Sequence, residues 1–220
     1  MITFEAGGRT GTGYLALPQS GQGPGVLVLH AWWGLTPFFK ETCDHLAREG
    51  FVALAPDLHF GKTAATIDEA QALMAQRDSE RMQASAPVAV AYLHDHPAVR
   101  GGVQGALGFS MGGGWALFLS GLAPAELAAV VVFYGSGDGD FAAARAAYQG
   151  HYAQGDEWEP DEEIQQMEAA MRAAGREVTL YTYPGVKHWF FEADRPEYDR
   201  DAAELAWQRT CAFLREHLAG

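Results

Sequence analysis

Ser110 lies in Gly108-Phe109-Ser110-Met111-Gly112, after the apolar run Val103 to Leu107 and before the apolar segment Gly113 to Leu119. A buried strand, a serine with glycines two residues to either side, and a buried helix together make a nucleophile elbow. The turn is so tight that side chains at the glycine positions would clash. The serine backbone is strained in such a turn, and its hydroxyl stands above the sheet edge, placed for acyl transfer. Gly-x-Ser-x-Gly strings arise by chance in glycine-rich chains, and this one has 26 glycines. The strand-to-helix setting and a correctly ordered set of partners argue against chance.

A serine hydroxyl needs a base to take its proton as it attacks. Histidine suits the task because its ordinary pKa lies near neutrality. Of the eight histidines, His188 follows Tyr183-Pro184-Gly185-Val186-Lys187 in a turn past the last expected strand. That is where the order nucleophile, acid, base places the base. His45 and His217 fall within helical segments, and His94 and His96 flank Asp95 before Pro97. No ligand cluster supports a metal at His94 and His96, and histidines at a helix end are sufficient explanation.

The third member is a carboxylate that orients the base and stabilises its charged form. Asp156, in Gln154-Gly155-Asp156-Glu157-Trp158, lies between Ser110 and His188 after a short strand-like stretch. Asp138 and Asp140 are its rivals one strand earlier, although Asp and Gly at that spacing also suit a plain turn. Oxyanion donors are expected from the backbone N–H of Met111, at the helix start, and of Trp32, in the loop His30-Ala31-Trp32-Trp33-Gly34. Trp33, Tyr134, Trp158 and Trp189 are the candidate lining of a substrate pocket, with core filling as the alternative for each. Phe190 and Phe191 are as well suited to the core as to the cleft.

The elements that must hold these residues alternate. Val26 to Leu29, Phe51 to Leu54, Val103 to Leu107, Ala128 to Phe133 and Val178 to Tyr181 read as buried strands. Helical stretches are expected over Phe38 to Arg48, Ile67 to Asp95 with a break near Pro87, Gly112 to Leu122, Asp161 to Ala174 and Tyr198 to His217. This pattern implies an α/β fold, a mostly parallel central sheet with helices on both faces. Thr10 to Leu17 is expected as an antiparallel edge strand. Residues 1 to 220 read as one domain, with no repeat and no insertion large enough for a lid domain.

The formal net charge of -13 argues against nucleic acid or an anionic membrane as partner, since both demand a basic face. No signal peptide and no run of roughly 18 apolar residues is visible, so a cytoplasmic protein is expected. Cys43 and Cys211 are isolated and read as free buried thiols. A monomer is the simplest expectation, with a dimer as the alternative.

As a set, the loop His30 to Leu35, Ala55-Pro56-Asp57-Leu58, Gly108 to Gly113, Phe133-Tyr134-Gly135, Asp156 with Pro160, and Tyr183 to His188 resemble the dienelactone hydrolase family of α/β-hydrolases. The resemblance runs nearly end to end. It implies an α/β-hydrolase fold, Ser110, Asp156 and His188 as nucleophile, acid and base, and oxyanion amides at Met111 and Trp32. Three departures accompany it. The family commonly has cysteine at the position of Ser110 and glutamate at that of Ala31, where the glutamate helps control the thiol's ionisation. A serine stays protonated until a base acts, so losing both together is coherent. Members that cleave dienelactone place an arginine shortly after the base, where this chain has Trp189-Phe190-Phe191-Glu192. Glu192 would repel a substrate carboxylate if it faced the cleft, and Arg77 or Arg81 could supply a replacement charge.

The expected activity is hydrolysis of small esters or lactones by the triad through an acyl-enzyme, with no metal or cofactor. A thioesterase or small-amide hydrolase is the alternative within the same chemistry. A catalytically silent binding module is the alternative outside it.

Overall fold

The computed structural model describes residues 1–219. Eight strands form one sheet: β1 (Ile2–Ala6), β2 (Arg9–Ala16), β3 (Gly23–Leu29), β4 (Val52–Pro56), β5 (Val99–Phe109), β6 (Leu127–Phe133), β7 (Ala147–Ala153) and β8 (Val178–Tyr183). Their order is β1-β2-β4-β3-β5-β6-β7-β8. Pairs from β4 onward are parallel, whereas β1–β2 and β2–β4 are antiparallel. The helices are α1 (Pro37–Arg48), α2 (Ile67–Ala75), α3 (Ser79–Asp95), α4 (Met111–Leu122), α5 (Asp161–Ala173) and α6 (Arg200–Leu218).

The central strands are apolar on both faces because both are covered. Val26 and Val28 of β3 pack with Phe39 and Leu46 of α1 and with Leu214 of α6. Leu27 and Leu29 face the opposite way, onto Leu93 of α3 and Leu117 of α4. This is the α/β-hydrolase architecture, and it carries no large additional domain among the described residues.

Two expectations are corrected. The strand expected over Thr10 to Leu17 is β2, but the edge belongs to β1, so β2 is paired on both sides. The helical break falls at Gln76-Arg77-Asp78, not at Pro87, which sits inside α3. Asp78 explains the break, because its carboxylate caps α3 by accepting the Arg81 N–H at 2.9 Å. Pro87 removes one backbone donor, and α3 absorbs this while burying Met82, Ala86, Val88, Ala89, Val90 and Leu93.

Candidate active site

Ser110 is the single residue between β5 and α4. Its φ of 50° and ψ of -115° put a non-glycine residue in a strained conformation. The strain survives because the flanking chains close on it. A Cβ at Gly108 would collide with the Gly112 carbonyl, and one at Gly112 with the Leu29 carbonyl of β3. The Ser110 N–H is fixed to the Phe133 carbonyl at 2.9 Å. Phe60, Tyr134 and Trp189 are the other non-glycine residues with positive φ, at 54°, 38° and 64° among the described residues. Each lies just past the carboxyl end of β4, β6 or β8, so the strain gathers along one edge of the sheet, where open α/β sheets form their sites.

On that edge the three residues expected from the sequence meet. His188 Nε2 lies 3.2 Å from Ser110 Oγ, and His188 Nδ1 lies 2.7 Å from Asp156 Oδ2. A carboxylate only accepts, so Nδ1 carries the proton and Nε2 is free to accept from the serine hydroxyl. The Asp156 side chain is fully buried, and its other oxygen accepts the Trp158 N–H at 2.8 Å. Asp138 and Asp140 take no part, since Asp140 instead accepts the Ala143 N–H within its own loop.

Met111 opens α4, so its N–H has no intrahelical acceptor and stays available beside Ser110. The loop bearing Trp32 is shaped by His30, which is fully buried. Its Nε2 accepts the Leu58 N–H at 3.1 Å, which leaves Nδ1 to donate to the Ala31 carbonyl at 2.7 Å. Burial lowers the His30 pKa to about 4, so this tautomer persists at neutral pH. Across the loop, Arg195 stacks over Trp33 at 3.9 Å and donates to the Ala65 carbonyl at 3.0 Å.

The four candidate lining residues divide. Trp158 is 43% exposed, with its ring 5.4 Å from Trp32 and 6.4 Å from His188. Trp33, Tyr134 and Trp189 are buried and form the wall behind the triad, not an open pocket surface. Phe190 and Phe191 belong to the core. Glu192 is fully buried too and accepts the Tyr134 O–H at 2.9 Å, so it does not face the cleft. Burial pushes its carboxyl up to about 8. Arg77 and Arg81 are engaged elsewhere: Arg77 donates to the Met74 carbonyl at 2.9 Å, and Arg81 stacks on Phe60 at 3.7 Å.

The Tyr134–Glu192 pair escaped the sequence reading, because nothing in the chain couples two residues 58 positions apart. Glu159 did too. It is buried, and its pKa is raised to about 7 mainly by that burial. Among the described residues no three or more His, Cys, Asp or Glu are grouped as metal ligands, and no helix is long and apolar enough to cross a membrane.

Among known proteins, Protein usf of Aquifex pyrophilus is 35% identical to this chain, over 99% of the chain and 98% of its own length. A Bradyrhizobium protein named as a probable 2-oxo-3-(5-oxofuran-2-ylidene)propanoate lactonase is 31% identical, over 100% and 94%. The crystal structure of a dienelactone hydrolase-like promiscuous phosphotriesterase from metagenomic libraries superposes with a TM-score of 0.82. It is 24% identical and covers 98% of this chain and 96% of that one. The model of the dienelactone hydrolase family matches residues 12–218. With a family match over nearly its whole length and full-length relatives above 30% identity, the chain belongs to the dienelactone hydrolase family and is a hydrolase.

Proposed function

We propose that this chain hydrolyses small carboxylic esters or lactones through a Ser-His-Asp triad and an acyl-enzyme intermediate. The observation that carries the reading is the hydrogen-bonded relay from Ser110 through His188 to the buried Asp156, at 3.2 and 2.7 Å. His188 Nε2 takes the Ser110 proton as Oγ attacks the carbonyl carbon. The oxyanion is held by the Met111 and Trp32 amides, and Asp156 stabilises the imidazolium. His188 then returns the proton to the leaving oxygen. In the second half it deprotonates a water, which releases the acid and restores the serine. Each step uses groups of this chain alone. The Bradyrhizobium relative named as a lactonase supports lactones and esters as the substrate class.

Incubation with a fluorophosphonate followed by peptide mapping tests the reading. The adduct is expected on the peptide carrying Ser110 and is lost in Ser110→Ala. Hydrolysis of p-nitrophenyl acetate is expected to fall by at least about a thousandfold in Ser110→Ala and in His188→Ala. Absence of label on Ser110 in the folded protein sinks the proposal.

A further inference from the structure

Three aromatic rings lie against the imidazole of His188: Trp189 at 4.8 Å, Tyr134 at 4.9 Å and Trp158 at 6.4 Å. Tyr134 and Trp189 are buried, so neither offers a face to an incoming molecule, whereas Trp158 is 43% exposed. Two indoles hold Trp158 from behind. Its ring meets Trp32 at 5.4 Å and 70°, and Trp189 at 5.3 Å and 48°. The Nε1 atoms of Trp32 and Trp189 are buried and bonded to no acceptor, so these neighbours add no donor at the surface. The Trp158 backbone is fixed as well, since its N–H is donated to Asp156 Oδ1 at 2.8 Å. An exposed indole held in this way has little rotamer freedom left to lose when a flat molecule stacks on it. The chain itself joins the trio to the chemistry. Trp32 carries one of the two amides assigned to the oxyanion, Trp158 lies two residues after the triad acid, and Trp189 directly follows the base.

We propose that Trp158 is the leaving-group platform of this site and selects esters of phenols, whose flat aryl group stacks on the free face of the indole. The inference rests on the triad reading above and adds to it the class of leaving group. Its placement follows from the chemistry. His188 Nε2 takes the Ser110 proton and must deliver it to the leaving oxygen, so that oxygen sits within hydrogen-bond reach of Nε2. The carbonyl oxygen is taken by the Met111 and Trp32 amides, which leaves the leaving oxygen and its substituent beside the imidazole. Of the three rings around His188, burial closes off two, and Trp158 is left to receive that substituent. Aromatic pairs gain from offset-stacked or edge-to-face contact beyond the area they bury, a gain that an alkyl group does not share. The leaving group is still on the indole as its bond to the carbonyl carbon breaks, so the contact counts in kcat/KM.

The test compares the phenyl, naphthyl and hexafluoroisopropyl esters of acetic acid. Hexafluoroisopropanol is an alkyl alcohol of nearly phenolic acidity, so acyl group and leaving ability stay close to constant while the flat ring is removed. In the wild-type protein kcat/KM is expected to run naphthyl above phenyl above hexafluoroisopropyl, with phenyl ahead of the alkyl ester by about three- to tenfold. Trp158→Ala removes the platform but keeps the backbone N–H that Asp156 accepts. It is expected to cut the phenyl-to-alkyl ratio to within about twofold. Trp158→Leu keeps apolar bulk without a ring and is expected to behave as Trp158→Ala does, whereas Trp158→Phe retains part of the preference. A wild-type series without an aryl preference overturns the platform, as does a preference that survives in Trp158→Leu. An equal fall on all three esters in both ringless variants also overturns it, and makes the indole only a cover for His188 and Asp156. Failure to hydrolyse any of the three overturns the platform, and absence of a fluorophosphonate adduct on Ser110 then overturns the triad reading as well. Hydrolysis without an aryl preference overturns the platform alone.

Discussion

The His188 imidazole is held by more than its two hydrogen bonds. One face lies against the Tyr134 ring at 4.9 Å, and Trp189 meets its edge at 4.8 Å and 90°. Tyr134 is tied in turn to Glu192 by the 2.9 Å bond, with both side chains fully buried and Glu192 Oε2 without a hydrogen bond, its nearest cation being Arg195 Nε at 4.0 Å. Tyr134→Phe would leave neither carboxyl oxygen bonded, so a loss of about 1–3 kcal/mol in unfolding free energy is expected, measurable by urea titration. Activity on p-nitrophenyl acetate is expected to fall through kcat, with KM nearly unchanged, because the substrate touches neither group. Glu192→Gln keeps an acceptor for the Tyr134 hydroxyl and has a distinct signature. A carboxyl raised to about 8 when folded, against an ordinary value near 4.5, contributes stability below pH 4.5 that is lost as pH rises toward 8. The Gln variant lacks that loss, so its stability relative to wild type is expected to increase from pH 5 to pH 9. An unchanged difference across that range overturns the assignment. Ser110, Asp156 and His188 were legible in sequence because each occupies a recognisable turn in a fixed order. Glu192 was not, because its partner becomes visible only when β6 and the loop after β8 come together.

At the scale of elements, the elbow depends on β3, β5 and α4 approaching more closely than any side chain permits. Gly112→Ala places a methyl against the Leu29 carbonyl, which is backbone and cannot rotate away. Overpacking of this kind costs roughly 1–3 kcal/mol or more, and any shift it forces in α4 moves Ser110 and the Met111 amide together. Gly112→Ala is therefore expected to lower thermal stability and fluorophosphonate labelling in concert. A stable variant labelled at the wild-type rate would contradict this coupling. The elbow strand was readable because parallel strands buried on both faces appear as uninterrupted apolar runs. The same logic hid the start of β7, Ala147-Tyr148-Gln149, where a buried glutamine interrupts the run and only Gly150 to Ala153 read as strand-like. Gln149 is tolerated there because its Oε1 lies 3.0 Å from His151 Nε2. β1 was missed because Ile2-Thr3-Phe4-Glu5-Ala6 alternates as an edge strand covered on one face does, with Phe4 alone deeply buried among its described side chains.

Across the whole molecule, the buried histidines set how the fold responds to acid. His30, His59 and His151 are 4% exposed or less, and their pKa values fall to about 4, 4 and 3, with burial the largest cause for each. An unfolded chain takes up protons at these sites below about pH 6.5, whereas the folded chain refuses them until pH 4 or lower. Stability carried by the neutral imidazoles is thus present above pH 6.5 and is lost as pH falls through that window. Glu192 acts in the opposite sense, so the wild-type curve alone mixes the two. His151 separates them. It lies in a buried network with the Tyr183 hydroxyl at 2.8 Å, Gln149 at 3.0 Å and Thr210 at 3.2 Å, away from Ser110. A glutamine in its place is polar but does not titrate. His151→Gln is expected to be less stable than wild type at pH 7 because this network is disturbed. Its further loss between pH 6.5 and 4.5 is expected to be smaller than that of wild type by about 2 kcal/mol. Urea unfolding of both proteins at the two pH values gives this difference directly, and equal losses would mean that His151 takes up its proton in the folded state as readily as in the unfolded chain.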